Sequence, residues 1–197
     1  MKRSTSVRFY NIGKVYRLET KQLLSINLEE AWAFFSNPNN LKDLTPSNLA
    51  MTVLSGADSK MYPGQIIQYS VSLLPMFKTI WVTEIIHVKE LSSFVDVQRY
   101  GPYSFWHHKH FFKETSNGVE VIDVIDYVPP LGILGRLINP FLIQPKLRKI
   151  FEFREEQLQK NLSKAIAVLV ESDLGKKNVI YRYRLDANRV HVFPIEP

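Results

Sequence analysis

The sequence predicts an α+β domain in which a curved antiparallel sheet of seven strands closes over one long C-terminal helix. Three observations carry this expectation. Strand-like runs between residues 51 and 128 follow one another at short intervals, separated by turn formers, which suits hairpins rather than parallel crossovers. From Lys146 the apolar period changes to the three- and four-residue steps of an amphipathic helix. Two short helical stretches stand between the first strand and the others.

Residues 15–26 (VYRLETKQLLSI) alternate loosely and form the first expected strand. Asn27 then offers a side-chain cap, with Glu30 in capping-box position. The helix over 28–36 turns Ala31, Trp32, Phe34 and Phe35 inward and stops before Asn37-Pro38, because a residue preceding proline avoids helical angles. A second short helix over 39–44 ends at Thr45-Pro46. Strands are expected at 51–55, 65–74, 77–89, 94–100, 103–115 and 119–128. Their breakers are Pro63-Gly64, Pro75, Ser92-Ser93, Gly101-Pro102 and Asn117-Gly118, the last predicting a type I′ hairpin. The long helix spans 146–172 behind Pro145, a first-turn residue. Its stripe is Leu147, Ile150/Phe151, Leu158, Leu162, Ala165/Ile166 and Leu169, with Arg148, Lys149, Arg154, Glu155, Glu156 and Lys160 mostly between. At 1.5 Å per residue it is about 40 Å long, enough to cross a sheet. Beyond it, 179–185 and 189–193 form a possible hairpin, as an edge element or an arm to another subunit.

A chain of 197 residues with 45% hydrophobic and 22% charged residues supports one domain with a sizeable core. The organisation expected is an N-terminal extension at 1–14, the domain at 15–172 and a C-terminal extension at 173–197. Absence of cysteine excludes disulfides and thiolate metal sites. The net charge of +6 is scattered, with no basic stripe interleaved with aromatics, so nucleic acid is not an expected partner. No apolar run reaches the roughly 18 residues of a membrane span. The richest, 131–143, contains Arg136, Asn139 and Pro140 and fits a buried or surface-lying segment. The basic start lacks the apolar stretch of a secretory signal, and the cytoplasm is the expected compartment.

The densest chemistry lies in FWHHKHFF, residues 105–112. On a strand, Trp106, His108, His110 and Phe112 share one face, and His107, Lys109 and Phe111 the other. A two-residue Asn117-Gly118 turn pairs Ser116 with Val119, setting Phe112 opposite Asp123, His110 opposite Ile125, His108 opposite Tyr127, and Lys109 opposite Asp126 on the reverse face. The face bearing Trp106, Phe112, Ile125 and Tyr127 is the more aromatic and is assigned to the interior. Two imidazoles and the Asp123 carboxylate then lie inside. They suit a satisfied buried network, a polar anchor for a ligand, or general acid–base chemistry with His110 poised by Asp123. Metal is not expected: His108 and His110 share a face and Asp123 offers a third donor, but no further histidine or glutamate is placed near them, and His87 lies on another strand in unknown register. The facing of Trp81, Asp96 and Gln98 is not readable from the pattern.

With GPYSFWHHKHFF (101–112), VIDVIDYVPPLGILGRL (121–137) and KLRKIFEFREEQL (146–158), the order of elements resembles the START-like superfamily, also called SRPBCC or Bet v 1-like. Within it the chain is similar to a bacterial ligand-binding branch related to polyketide cyclase/dehydrase and lipid-transport proteins. The resemblance covers about residues 15–170. It implies a helix-grip fold, a hydrophobic cavity between sheet and helix, no required metal or cofactor, and an inward Trp, His and His alternation with an Asp at Asp123. The leading expectation is a carrier or sensor of a small hydrophobic or amphipathic molecule of the lipid, polyketide or isoprenoid class. Trp106, Phe112, Ile125, Tyr127, Leu147 and Phe151 supply walls, and His108, His110 and Asp123 the anchor. One alternative is an aromatase/cyclase- or dehydratase-like enzyme using His110 and Asp123. Another is an interaction module using the C-terminal tail. The segment Pro129-Pro130-Leu131-Gly132 with Gly135 fits either a cavity gate, as the resemblance implies, or a proline-stiffened corner.

Overall fold

Eight strands pair antiparallel in the order β1-β2-β8-β7-β6-β5-β4-β3 in a computed structural model that describes residues 7–57, 60–74 and 77–165. They are β1 (Arg8–Ile12), β2 (Val15–Leu24), β3 (Thr52–Ser55), β4 (Ile66–Leu74), β5 (Phe77–Lys89), β6 (Ser93–Tyr100), β7 (Phe105–Thr115) and β8 (Gly118–Val128). The expected count of seven is therefore short by one. Strand β1 folds back on β2 through a turn at Gly13, whose φ is +63°. Its sequence, RFYNI, is largely exposed and has no apolar alternation to betray it. The expected tail hairpin, the break at Pro75 and helix residues 166–172 lie outside the described residues.

After β2 comes helix α1 (Leu28–Phe35), which buries Ala31, Trp32 and Phe35. Its capping box forms as expected: the Glu30 amide donates to Asn27 Oδ1 at 2.7 Å, and the Asn27 amide to Glu30 Oε2 at 3.3 Å. The second short helix is a 3-10 segment, Pro38–Leu44, followed by another at Ser47–Leu49.

From β8 the chain enters α2 (Gly132–Ile138), passes a π-helical turn at Asn139–Ile143, and continues as α3 (Gln144–Ala165). Pro140 accounts for the wide turn, since it lacks an N–H and its ring crowds the carbonyl four residues back. Gly135 lies against the corner; a Cβ there would meet the Pro130 carbonyl oxygen at 1.7 Å. This close packing fits the proline-stiffened corner. The 131–143 segment lies on the surface, with Ile133 77% and Phe141 83% exposed. Among the described residues no helix is long and apolar enough to cross a membrane.

Helix α3 buries Leu147, Phe151, Leu158 and Leu162. It is tied to β2, where Gln22 Nε2 donates to the Glu155 carbonyl at 2.9 Å and Gln159 Nε2 to the Leu23 carbonyl at 3.1 Å.

The β7–β8 register departs from expectation by two residues. Thr115 pairs with Gly118, so Ser116 and Asn117 form the loop and His110 stands opposite Asp123. Only Gly118 takes a positive φ, +124°, so the turn is not type I′. Gly118 belongs to the strand, where a side chain would drive a Cβ to 2.1 Å from the Leu24 carbonyl oxygen of β2. A shift of two preserves facing but changes every partner.

On the outer face, Asp126 accepts from Arg17 Nε at 2.7 Å and from Lys109 Nζ at 2.9 Å. The expected Lys109–Asp126 pair thus forms diagonally, with Val124 directly opposite Lys109. Partial burial alone would raise the Asp126 pKa, but the hydrogen bonds from Arg17 and Lys109 outweigh it and lower the value. A carboxyl depressed on folding adds stability above its unfolded pKa of about 4 and loses it as pH falls through the folded value. Asp126→Asn is expected to cost about 1 kcal/mol at pH 7, held small by solvent screening. The gap between wild type and variant should close as pH drops below about 4. Urea denaturation at pH 7 and pH 3 measures both; a gap unchanged between them would show that the ion pairs contribute no pH-dependent stability.

Candidate functional site

The two-residue period of β7 carries Trp106, His108, His110 and Phe112 inward, and all four are buried. Strand β6 sets Asp96 opposite His108 on one side, and β8 sets Asp123 opposite His110 on the other. Two carboxylates therefore flank two imidazoles across neighbouring strands.

Asp123 Oδ1 lies 2.7 Å from His110 Nδ1 and 3.2 Å from His108 Nε2. The opposite ring nitrogens face Asp96 Oδ2, at 3.1 Å for His110 Nε2 and 3.6 Å for His108 Nδ1. The two rings are 3.8 Å apart, and Phe94 stacks on His110 at 4.0 Å. Thr20 Oγ1 donates to Asp123 Oδ2 at 3.4 Å. Arg154 of α3, also buried, brings Nε to 3.6 Å from the same oxygen, which is too long for a hydrogen bond but close for a charge.

Burial works against every charge in this group, and the partners decide the outcome. Desolvation would raise the Asp123 pKa, but the Arg154 charge, His110 and both imidazole contacts hold it well below the carboxylate range. Burial, together with neighbouring His110, lowers His108. Burial also disfavours a charged His110, but Asp123 and Asp96 outweigh it and raise its pKa. The two imidazoles are thus pushed in opposite directions. The Tyr69 phenol is raised by burial and by the charge of Asp96.

These polar groups form one layer between two apolar clusters. Trp32, Phe35, Phe94, Phe112, Val121, Leu158 and Leu162 pack on one side. Leu18, Trp106, Ile125, Tyr127, Leu147 and Phe151 pack on the other. Beside the layer lies a cavity of about 190 Å³, many times the ~10–15 Å³ that one water needs. Its walls come from the inward faces of β4 to β7, from α3 and from the 3-10 segments. Among the described residues, Asp96, His108, His110 and Arg154 are the only ones lining it with a carboxylate, imidazole or guanidinium, among walls that are otherwise mostly aliphatic or aromatic.

Of the nine expected site residues, Trp106, His108, His110, Leu147 and Phe151 line this cavity. Asp123 stands behind the imidazoles. Phe112, Ile125 and Tyr127, expected as walls, are packed elsewhere. Phe112 meets Trp32 and Phe35 at ring distances of 5.5 and 5.2 Å, and Tyr127 donates to Asn139 Oδ1 at 3.1 Å. The reason is the placement of the helix: α3 is bound to the β2 side of the sheet, so the hollow opens over β4 to β7 and the inward side chains of β8 are covered.

Four contributors were not assigned by sequence. Asp96 was hidden because β5–β6 pairing shifts register twice, between Val82/Thr83 and between Ile85/His87. Trp81 lines the cavity edge-on to Trp106 at 5.3 Å, with Tyr103 close by at 4.8 Å from Trp106. Arg154 did leave a signal: 147, 151, 154, 158 and 162 continue one stripe at three- and four-residue steps, with a single charged member. Gln98 is no site residue; its amide closes the loop by donating to the Tyr103 carbonyl at 2.7 Å.

No protein-family profile matches the sequence, and no curated relative matches it. The fold is similar to solved structures. The protein TTHA0849 from Thermus thermophilus shares 14% identity at a TM-score of 0.60, over 76% of this chain and 98% of its own. A protein from Rhodobacter sphaeroides shares 15% at 0.60, over 80% and 99%. The di-domain ARO/CYC StfQ from the steffimycin biosynthetic pathway shares 11% at 0.59, over 77% of this chain and 51% of its own. At such identities the likeness establishes the fold, into which a helix-grip description fits, and nothing about activity.

Removing Arg154 takes the guanidinium charge from the buried Asp123 carboxylate and leaves it to the imidazoles and Thr20 alone, so Arg154→Leu is expected to destabilise by about 3 kcal/mol. Lys149→Leu, on the exposed side of the same helix, should change stability by less than about 0.5 kcal/mol. The double variant Arg154→Leu/Asp123→Asn should cost clearly less than the two single changes added together. Chemical denaturation of the set reads this out, and strict additivity would show that the two charges are uncoupled.

Proposed function

We propose that the chain holds a small, largely apolar molecule of the lipid, polyketide or isoprenoid class in the cavity between β4–β7 and α3, as a binding protein of the START-like kind its sequence resembles. One observation carries the reading: an otherwise mostly apolar and aromatic hollow gathers Asp96, His108, His110 and Arg154 into a single patch. Binding pockets for small molecules have this composition, apolar walls for affinity and a few placed polar groups for orientation. A guest with a hydrocarbon body and one oxygen-bearing end matches it. The body would lie against Phe35, Ile67, Ile85 and Trp81, and the polar end against the histidines.

Native mass spectrometry of the purified chain, together with titration of a fluorescent fatty-acid probe, tests the proposal. Trp81 and Trp106 line the cavity, so probe binding is expected to quench intrinsic tryptophan emission. Val71→Phe, which adds bulk to the wall, should weaken the probe at least tenfold. Repeated preparations with no co-purified guest and no probe binding would sink the reading.

A second reading, an aromatase/cyclase-like enzyme, is favoured by the position of His110 between two carboxylates at the cavity wall. In that role His110 would move the proton while Asp123 orients the ring. Turnover of a poly-β-keto thioester mimic should then fall at least 100-fold in His110→Ala and in Asp123→Asn, with the mimic still bound. Variants that turn it over as wild type does, or a wild type that never does, would rule this reading out.

A further inference from the structure

We propose that Asp96, His108 and His110 form a binding site for a divalent transition-metal ion of the zinc or cobalt type. The three side chains each offer one donor atom, and those atoms lie within 4.8 Å of one another. His110 Nε2 and His108 Nδ1 stand 3.1 and 3.6 Å from one oxygen, Asp96 Oδ2. A tetrahedral ion with ligands at about 2.0–2.1 Å separates them by about 3.3 Å. The two histidine–Asp96 separations bracket that spacing, and the third, between the two histidine donors, is within 4.8 Å, so side-chain rotation can bring the set onto an ion.

The other side of each ring supplies the second argument. His110 Nδ1 and His108 Nε2 both face Asp123 Oδ1, at 2.7 and 3.2 Å. His108 Nε2 is hydrogen-bonded to Asp123, which holds the His108 ring proton on that side and leaves Nδ1 as a lone-pair acceptor toward Asp96. His110 is hydrogen-bonded through Nε2 to Asp96, while its Nδ1 lies 2.7 Å from Asp123 without a hydrogen bond. A metal ion would replace the proton between His110 and Asp96, and Asp123 stands where it can accept the Nδ1–H of the other His110 tautomer. The carboxylate–histidine–metal arrangement is the usual way in which a protein sets ring tautomer and orientation at such a site.

Charge and access agree with this. With both imidazoles neutral, as metal ligation requires, Asp96, Asp123 and the Arg154 guanidinium leave one negative charge beside the cavity, and a divalent ion turns that to one positive. The three donors line the cavity, so the ion's open position faces the hollow. Two nitrogens and one oxygen with an open position suit zinc, cobalt or ferrous iron rather than calcium or magnesium. On the binding reading above, the guest's polar end is then an anionic oxygen, a carboxylate or enolate, completing the shell; the ion site itself does not depend on that guest.

The test uses the full chain, stripped with chelator and titrated with Co²⁺ and Zn²⁺ in the absence of any organic ligand. One equivalent per chain is expected, with the visible absorption of low-coordinate Co²⁺ and a Zn²⁺-dependent rise in Tm. His108→Ala and Asp96→Asn should each weaken Co²⁺ at least 100-fold. Asp123→Asn, which touches only the far ring nitrogens, should weaken it about 10–100-fold. His87→Ala and His107→Ala, outside the cluster, should bind as wild type does. Circular dichroism checks that each variant is folded, and the near-isosteric Asp96→Asn decides the matter should His108→Ala not fold. No binding at millimolar Co²⁺ by the folded chain overturns the proposal, as does binding that survives Asp96→Asn or depends on His87 or His107. Metal bound without any fatty-acid probe binding would leave the ion site standing and remove the carrier reading; the reverse result would do the opposite.

Discussion

The arrangement of this protein turns on a layer of charge that water does not reach freely and that must be balanced from within. Thr20 comes from β2, Asp96 from β6, His108 and His110 from β7, Asp123 from β8 and Arg154 from α3. Each buried polar group needs a partner, and each partner belongs to another element. Satisfying the layer therefore sets three strand registers and the rotation of the long helix together. A slip of one residue in β7 would place the imidazoles outside and strand both carboxylates. Apolar contacts above and below the layer supply the bulk of the burial, but they tolerate small shifts that the charge layer does not.

The hollow beside that layer has a geometric origin. A twisted sheet and a straight helix cannot stay in contact along their whole length. Here the contact is made over the β2 side, by the Gln22 and Gln159 side chains reaching across to backbone carbonyls. Over β4 to β7 the surfaces diverge, and aromatic rings from three strands and a loop, Tyr69, Trp81, Trp106 and Tyr103, edge the space without filling it. The polar layer ends at this wall. Its two carboxylates consequently differ: Asp123 is enclosed between β8 and the imidazoles, and Asp96 borders the cavity. Asp123 meets the rings from behind, and Asp96, hydrogen-bonded to His110 Nε2, meets them on the cavity side.

Facing proved easier to read than partnership, and the β7–β8 hairpin shows why. The two-residue period of Trp106, His108, His110 and Phe112 is a local property, and the structure buries all four. The partner of His110 depends on which residues make the turn. Gly118 looked like half of a type I′ loop and is instead a strand residue kept small by the Leu24 carbonyl. That neighbour is almost a hundred positions away in the chain, and no local pattern announces it. Asp96 was unreadable for a similar cause, because two bulges against β5 break the alternation that would have shown its facing. Arg154 was overlooked for a different one: its place on the apolar stripe was visible, but charge normally argues against burial.

Local periodicity, capping and turn chemistry thus determined on their own that a hairpin-built sheet precedes a long amphipathic helix, and that imidazoles and Asp123 lie inside. These are properties of neighbours within a few residues, and they survive any choice of tertiary packing. Tertiary structure alone decided that Asp96 and Arg154 complete the cluster, that the cavity lies over β4 to β7 and leaves Phe112, Ile125 and Tyr127 in the core, and that β1 adds an eighth strand. Each of those outcomes depends on register and helix placement between distant segments, which are settled by where charge is neutralised and where twist lets helix and sheet part.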